Sequence, residues 1–174
     1  LHRIAAPGET RLSLSVTDTG DGGQYRFVLP GPDWDATAID AALAALPGLA
    51  PEGAWVVYSG SQPPGAPDDL SLRMAGALPG RRLVVDTSGA ALARVAQGGG
   101  EAAPWLLRMD SDEAEALAGH ALPDREGSAA LAETLRARGA ARYVVIARGA
   151  DGSVMAGPDG CWHASAAGVA VVSA

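Results

Sequence analysis

Lysine is missing from this sequence altogether, so its 13 cationic side chains, histidine apart, are all arginine. Cysteine is nearly missing: Cys161 stands alone, which excludes an internal disulfide framework and a cysteine-based zinc site. The histidines, His2, His120 and His163, are scattered without ligand spacing. No apolar run approaches the length of a membrane span, and Leu1-His2-Arg3 lacks the apolar stretch of a signal peptide. A membrane partner is therefore not expected, and a cytoplasmic location is. A basic run is missing too. The net charge is −7 and the isoelectric point about 4.8, which argues against nucleic-acid binding, where phosphate neutralisation supplies most non-specific affinity. What is present suits a packed core: 48% of the 174 residues are hydrophobic, enough for one domain or part of a larger protein. A start without methionine and an end at Val171-Val172-Ser173-Ala174 read as the interior of a longer chain.

The first segment reads as a β-hairpin. Leu12, Leu14 and Val16 alternate with Arg11, Ser13, Ser15 and Thr17, the glycines of residues 18–23 make a turn, and Tyr25, Phe27 and Leu29 alternate with Arg26 and Val28 up to Pro30. One face is apolar; the other carries Arg11 and the serines. A lone hairpin is marginal in water, so the apolar face is expected to pack on something.

After Pro32 the pattern changes to helices alternating with short apolar strands. Ile39, Leu43 and Leu46 mark a helix stopped by Pro47-Gly48. Strands follow at residues 54–58, 83–86, 105–107 and 143–146, with helices between them through Leu70 to Leu78, Leu92 to Val95, from Asp110, and over Ser128 to Arg138. Gly98-Gly99-Gly100 reads as a flexible break. From Gly152 the signal is β-rich, including a run at Val169 to Val172. Such alternation implies a mostly parallel sheet covered by helices on both faces. Trp34, Trp55, Trp105 and Trp162 read as core or interface packing, and Cys161 as a small buried apolar residue.

Ligands of open α/β sheets bind at the carboxyl ends of strands. Four strands here end in small, polar or glycine-rich loops: Ser59-Gly60-Ser61, Asp86-Thr87-Ser88-Gly89, Arg108-Met109-Asp110, and Ala147-Arg148-Gly149-Ala150-Asp151-Gly152. That coincidence places a site along this edge. Asp86 reads as structural, capping the turn that follows it.

These loops, in this order, resemble the ribokinase-like sugar kinases of the phosphofructokinase B family. The likeness runs through Thr10-Arg11, Gln24 to Pro32, Ser59-Gly60-Ser61-Gln62-Pro63-Pro64-Gly65, Asp86 to Gly89, and Gly149-Ala150-Asp151-Gly152; the wording at Gln24-Tyr25-Arg26-Phe27-Val28 is closest to the 6-phosphofructokinase branch. The resemblance implies a Rossmann-like α/β core over residues 33–174 with a β-hairpin lid over residues 1–32 that joins a homodimer. It implies ATP-dependent, Mg²⁺-assisted phosphorylation of a sugar phosphate, fructose 6-phosphate foremost. The family's Gly-Ala-Gly-Asp motif, with its anion hole and aspartate base, is expected after Ala174, so this chain by itself is expected not to turn over. The other class of reading is a non-catalytic relative of the same fold that binds a metabolite or partner.

The resemblance assigns Arg11, Arg26 and Ser61 to the sugar phosphate, although Arg11 and Arg26 also read as solvated strand residues and Ser61 as part of a turn. Asp110, Ala147, Arg148, Gly149 and Gly152 fall where the family meets the nucleotide. Glu113 falls where it meets Mg²⁺. The usual Lys-Pro-Asn is replaced by Arg108-Met109-Asp110, and Asp110 with Glu113 reads equally as a capping box opening a helix.

Overall fold

The computed structural model describes residue 5 and residues 7–168. The Val169 to Val172 run lies outside the described residues, as does His2. Strands β1 (Ser13–Thr17) and β2 (Gln24–Val28) form the hairpin, with Leu14 opposite Phe27, Val16 opposite Tyr25 and Ser15 opposite Arg26. Opposed residues share a face, so Arg26 lies with Ser13 and Ser15 on the polar side. Among the described residues the apolar side finds no cover: Leu14 is 52% and Phe27 55% exposed.

The second sheet has six strands in the order β3-β4-β5-β6-β7-β8. They are β3 (Trp55–Ser59), β4 (Arg82–Asp86), β5 (Leu106–Asp110), β6 (Tyr143–Ala147), β7 (Ser153–Gly157) and β8 (Gly160–Ala164). The first four run parallel and the last two turn back antiparallel. Between them stand α1 (Ala36–Leu49), α2 (Leu70–Ala77), α3 (Gly89–Ala96), α4 (Ser111–Ala118) and α5 (Arg125–Ala137). The sheet is thus mostly parallel and flanked by helices, as the alternation implied.

Among the described residues the helices cover one face of it, not two. Val56, Tyr58, Leu83, Val85, Leu107, Met109, Val144, Ile146 and Ala156 point to the helical side and belong to or pack on the core, together with Leu92 and Val95 of α3 and Leu135 of α5. The alternate residues point the other way, where Trp55 is 58% and Val57 66% exposed. Topology is the reason. The strands advance one step at a time in one direction, and crossovers of a single hand then put every helix on the same side. The open face carries a stack in which Arg82 sits 5.3 Å from the ring centres of Trp55 and Trp105, and Arg142 sits 4.7 Å from Trp105. Trp55 and Trp105 are therefore surface stacking groups rather than core.

Other expectations change with packing. The first helix runs through Pro47 and closes one turn later, with Ala50 N donating to Leu46 O. β5 extends to Asp110, so Arg108 and Asp110 are strand residues. Gly98 and Gly99 are packed rather than loose, a Cβ on Gly98 lying 2.6 Å from Arg138 O and one on Gly99 2.8 Å from Ala103 Cα, whereas Gly100 faces open space. Cys161 is exposed: β8 is the last strand of the sheet, and the α5 side of it is an open cavity lined by Arg125, Ala129 and Cys161. Among the described residues, no helix is long and apolar enough to cross a membrane.

Candidate functional site at the carboxyl rim

Because β3, β4, β5 and β6 are parallel neighbours, their carboxyl ends share one edge. Hydrogen bonds knit that edge together. Gly60 N donates to Asp86 O at 2.8 Å, linking the β3 and β4 exits. Arg108 Nη1 lies 3.4 Å from Asp86 Oδ1, linking β4 to β5. Ser111 Oγ donates to Ala147 O at 3.0 Å, linking β5 to β6. Asp86, read from sequence as a cap, is instead the acceptor for two neighbouring exits.

At the β3 end the hairpin comes down onto the rim. Arg11 Nη1 donates to Ser61 Oγ at 2.6 Å, and both line a cavity of about 260 Å³ with Glu9, Gly31, Trp34 and Pro63. Trp34 N donates to Pro64 O at 2.8 Å, and a Cβ on Gly65 would lie 2.5 Å from Trp34 O. The two loops therefore close on each other. Arg26 sits two strand positions further out on the same polar face, with Nε 3.4 Å from Ser13 Oγ; it is not at this cavity. Beneath the β3 and β4 exits, Tyr58 OH, Gln62 Oε1, Ser71 Oγ and Thr87 Oγ1 are buried without a partner, and burial pushes the Tyr58 hydroxyl above its ordinary range.

At the β5 exit the capping box forms. Asp110 Oδ1 accepts from Glu113 N, and Glu113 Oε2 accepts from Asp110 N, both at 2.9 Å. Each carboxylate keeps one oxygen uncommitted. No group of three or more His, Cys, Asp or Glu able to hold a metal occurs among the described residues.

At the β6 exit, residues 148–152 form a tight turn in which Arg148 N donates to Gly152 O at 2.8 Å. Gly149, at φ +56°, faces open space, whereas a Cβ on Gly152 would lie 1.9 Å from Ala164 O. Gly149 has room where a side chain would stand; Gly152 is glycine because β8 packs on it. Arg148 turns inward, against the reading that sends it to a ligand, and bonds Asp151, Leu122 O, Ser128 and Pro123 O. Asp151 also takes a fork from Arg125. These two guanidinium groups hold its carboxyl well below the usual range. Sequence reasoning missed Arg125: nothing in a 26-residue separation signals the contact.

The arrangement is that of an open α/β protein whose four parallel strand exits share one rim, the edge at which such sheets bind ligands. The comparisons agree. The chain belongs to the pfkB family of carbohydrate kinases, whose family profile matches residues 6–174. It is 35% identical over 157 residues to an ATP-dependent 6-phosphofructokinase isozyme 2 of Mycobacterium tuberculosis, covering 88% of this chain and 44% of that one. It is 33% identical over 172 residues to the 1-phosphofructokinase of Escherichia coli, covering 95% and 52%. Among solved structures it superposes on Escherichia coli phosphofructokinase-2 in complex with fructose-6-phosphate with a TM-score of 0.79 and 26% identity, over 92% of this chain and 52% of that one. The chain thus spans about half the length of the curated relatives it matches.

Proposed function

We propose that the protein containing this chain transfers the terminal phosphoryl group of ATP to a sugar phosphate, with fructose 6-phosphate as the preferred acceptor. The observation that carries this is the Arg11–Ser61 contact at the lip of the 260 Å³ cavity. A guanidinium held beside a hydroxyl, between a hairpin and a strand exit, matches the needs of a sugar phosphate: a fork for the phosphate and a hydrogen-bonding group for the sugar. Arg26 extends the same basic face along the hairpin and would meet the acceptor only if that face closes further.

The nucleotide is assigned to the other half of the rim, with Ala147, the open side of Gly149 and the Asp110 segment facing it. Mg²⁺ travels with the nucleotide phosphates and keeps most of its waters, so one uncommitted oxygen on Glu113, aided by Asp110, is a sufficient protein contribution; it offsets phosphate charge. The general base is assigned to the aspartate of the Gly-Ala-Gly-Asp motif, which this chain does not contain. The 174 residues alone are therefore expected to be inactive. A homodimer through the apolar hairpin face is part of the same proposal, since Leu14, Val16, Tyr25 and Phe27 are exposed among the described residues, and the cytoplasm is its proposed location.

A second reading, a metabolite-binding relative without transfer, is favoured by one observation: Asp110 and Glu113 each commit an oxygen to the helix cap. A coupled assay of the whole protein against fructose 6-phosphate, fructose 1-phosphate, tagatose 6-phosphate and unphosphorylated sugars decides. Turnover preferring fructose 6-phosphate supports the kinase; none with any acceptor supports the binding protein.

A further inference from the structure

We propose that Arg148, Asp151 and Arg125 form a positioning clamp that holds the Gly149–Gly152 loop in the shape that receives the nucleotide phosphates. The proposal rests on the kinase reading above.

Arg148 follows the last residue of β6, and its side chain is only 10% exposed. Its Nε donates to Asp151 Oδ2 at 3.0 Å, Nη1 to Ser128 Oγ at 2.5 Å and to Leu122 O at 3.1 Å, and Nη2 to Pro123 O at 3.1 Å. All but one of its N–H groups are thereby engaged. A guanidinium so occupied cannot also grip a ligand without giving up bonds inside the fold, so Arg148 acts through the loop rather than on the nucleotide.

Asp151 relays the hold. Its second oxygen takes Arg125 Nη2 at 2.5 Å, and its backbone oxygen lies 2.8 Å from His163 Nε2 on β8. Arg125 opens α5, whose first turn is capped by Asp124, with Oδ1 accepting from Gly127 N at 2.7 Å. The loop is thus tied to the α4–α5 connection, to α5 and to the edge strand.

The physical need for a clamp comes from the loop itself. It contains two glycines at positive φ, 56° and 95°, a composition that leaves the unbound backbone many alternatives. Ordering it on phosphate binding would cost affinity, and a pre-ordered loop avoids that cost. The planar fork of arginine reaches two carbonyls, a hydroxyl and a carboxylate at once, which a lysine ammonium cannot reproduce.

The test uses the whole protein and compares Arg148→Met, Arg148→Lys, Asp151→Asn and Arg125→Gln with the parent. Arg148→Met and Asp151→Asn are expected to raise KM for ATP about tenfold while KM for the sugar phosphate stays unchanged. Arg148→Lys fails to rescue, and Arg125→Gln, which removes the more exposed arm, has a smaller effect of the same kind. In the ligand-free protein, amide exchange at residues 149–152 speeds up in Arg148→Met. If Arg148→Met does not fold, Asp151→Asn carries the comparison. An Arg148→Met enzyme with the parent KM for ATP overturns the clamp. So does a loss confined to Arg148→Met with Asp151→Asn at parent values, which would mean that Arg148 touches the nucleotide. An unaltered protein that transfers no phosphate overturns the kinase reading instead, and amide exchange then shows whether the clamp still orders the loop.

Discussion

Arg11 and Ser61, 50 residues apart in the chain, meet through a 2.6 Å hydrogen bond that joins the hairpin to the exit of β3. One partner belongs to the two-stranded sheet's root and the other to the six-stranded sheet's edge, so the bond reports how the hairpin sits on the site. Replacing Arg11 by Ala in the whole protein is expected to remove a charge-assisted phosphate contact of about 2 kcal/mol. That corresponds to a rise in KM for the sugar phosphate of roughly thirtyfold, with KM for ATP unaltered. Ser61→Ala is expected to act in the same direction and less strongly. Steady-state kinetics with each substrate varied in turn checks both.

The capping box at Asp110 and Glu113 separates stability from nucleotide affinity. Asp110→Ala loses the side chain that accepts from Glu113 N, and is expected to destabilise the fold by about 1 kcal/mol. Asp110→Asn keeps a capping oxygen and removes a negative charge from the rim. It is expected to retain the parent melting temperature, to bind ATP more tightly in the absence of Mg²⁺, and to lose that gain when Mg²⁺ is added. Thermal unfolding and a nucleotide titration, run on the two variants side by side, give the answer.

Two glycines three residues apart are predicted to behave differently. At Gly152 a methyl group would collide with the carbonyl of Ala164 at 1.9 Å, so Gly152→Ala is expected to yield little folded protein. At Gly149 the space is open, and Gly149→Ala is expected to cost only the left-handed backbone penalty, about 1 kcal/mol. Soluble yield and melting temperature of the two variants measure the contrast.

Asp151 sets a pH window. Its carboxyl is held below the usual range by Arg125 first and Arg148 second. A depressed carboxyl contributes stability that is present above the unfolded-state value, about 4, and is lost as pH falls through the folded one. The difference in melting temperature between the parent and Asp151→Asn is therefore expected to be constant from about pH 6 to 8 and to shrink below about pH 4. A difference that grows on acidification would contradict the pairing.

A dimer through the hairpin makes the fifth kind of test. Phe27→Asp places a charge in the apolar face opposite Leu14 and is expected to shift the whole protein from dimer to monomer in sedimentation, with the helical content unchanged.

Much of this was legible before any coordinates. The period-two runs around Leu14 and Phe27 and the apolar stretches at Val56, Val85, Leu107 and Val144 specify strands directly, because alternation and β-branching act within a few residues. The four polar strand exits could be placed on one edge as soon as the strands were taken as parallel. Side-chain commitments were less readable. Arg148 looked available for a phosphate because its partners Leu122 and Ser128 lie 26 and 20 residues away. Cys161 looked buried because an apolar neighbourhood in sequence says nothing about whether a strand is the last in its sheet.

The residues alone determined the alternation of strands and helices, the acidic surface, the loops at the strand ends and the capping box, all of which follow from forces between near neighbours. Tertiary structure decided which sheet face stayed open, that Arg11 reaches Ser61, and that Arg148 turns inward to Leu122 and Ser128. Those outcomes depend on strand order and on contacts closed over tens of residues, where geometry selects among partners that local chemistry leaves equivalent.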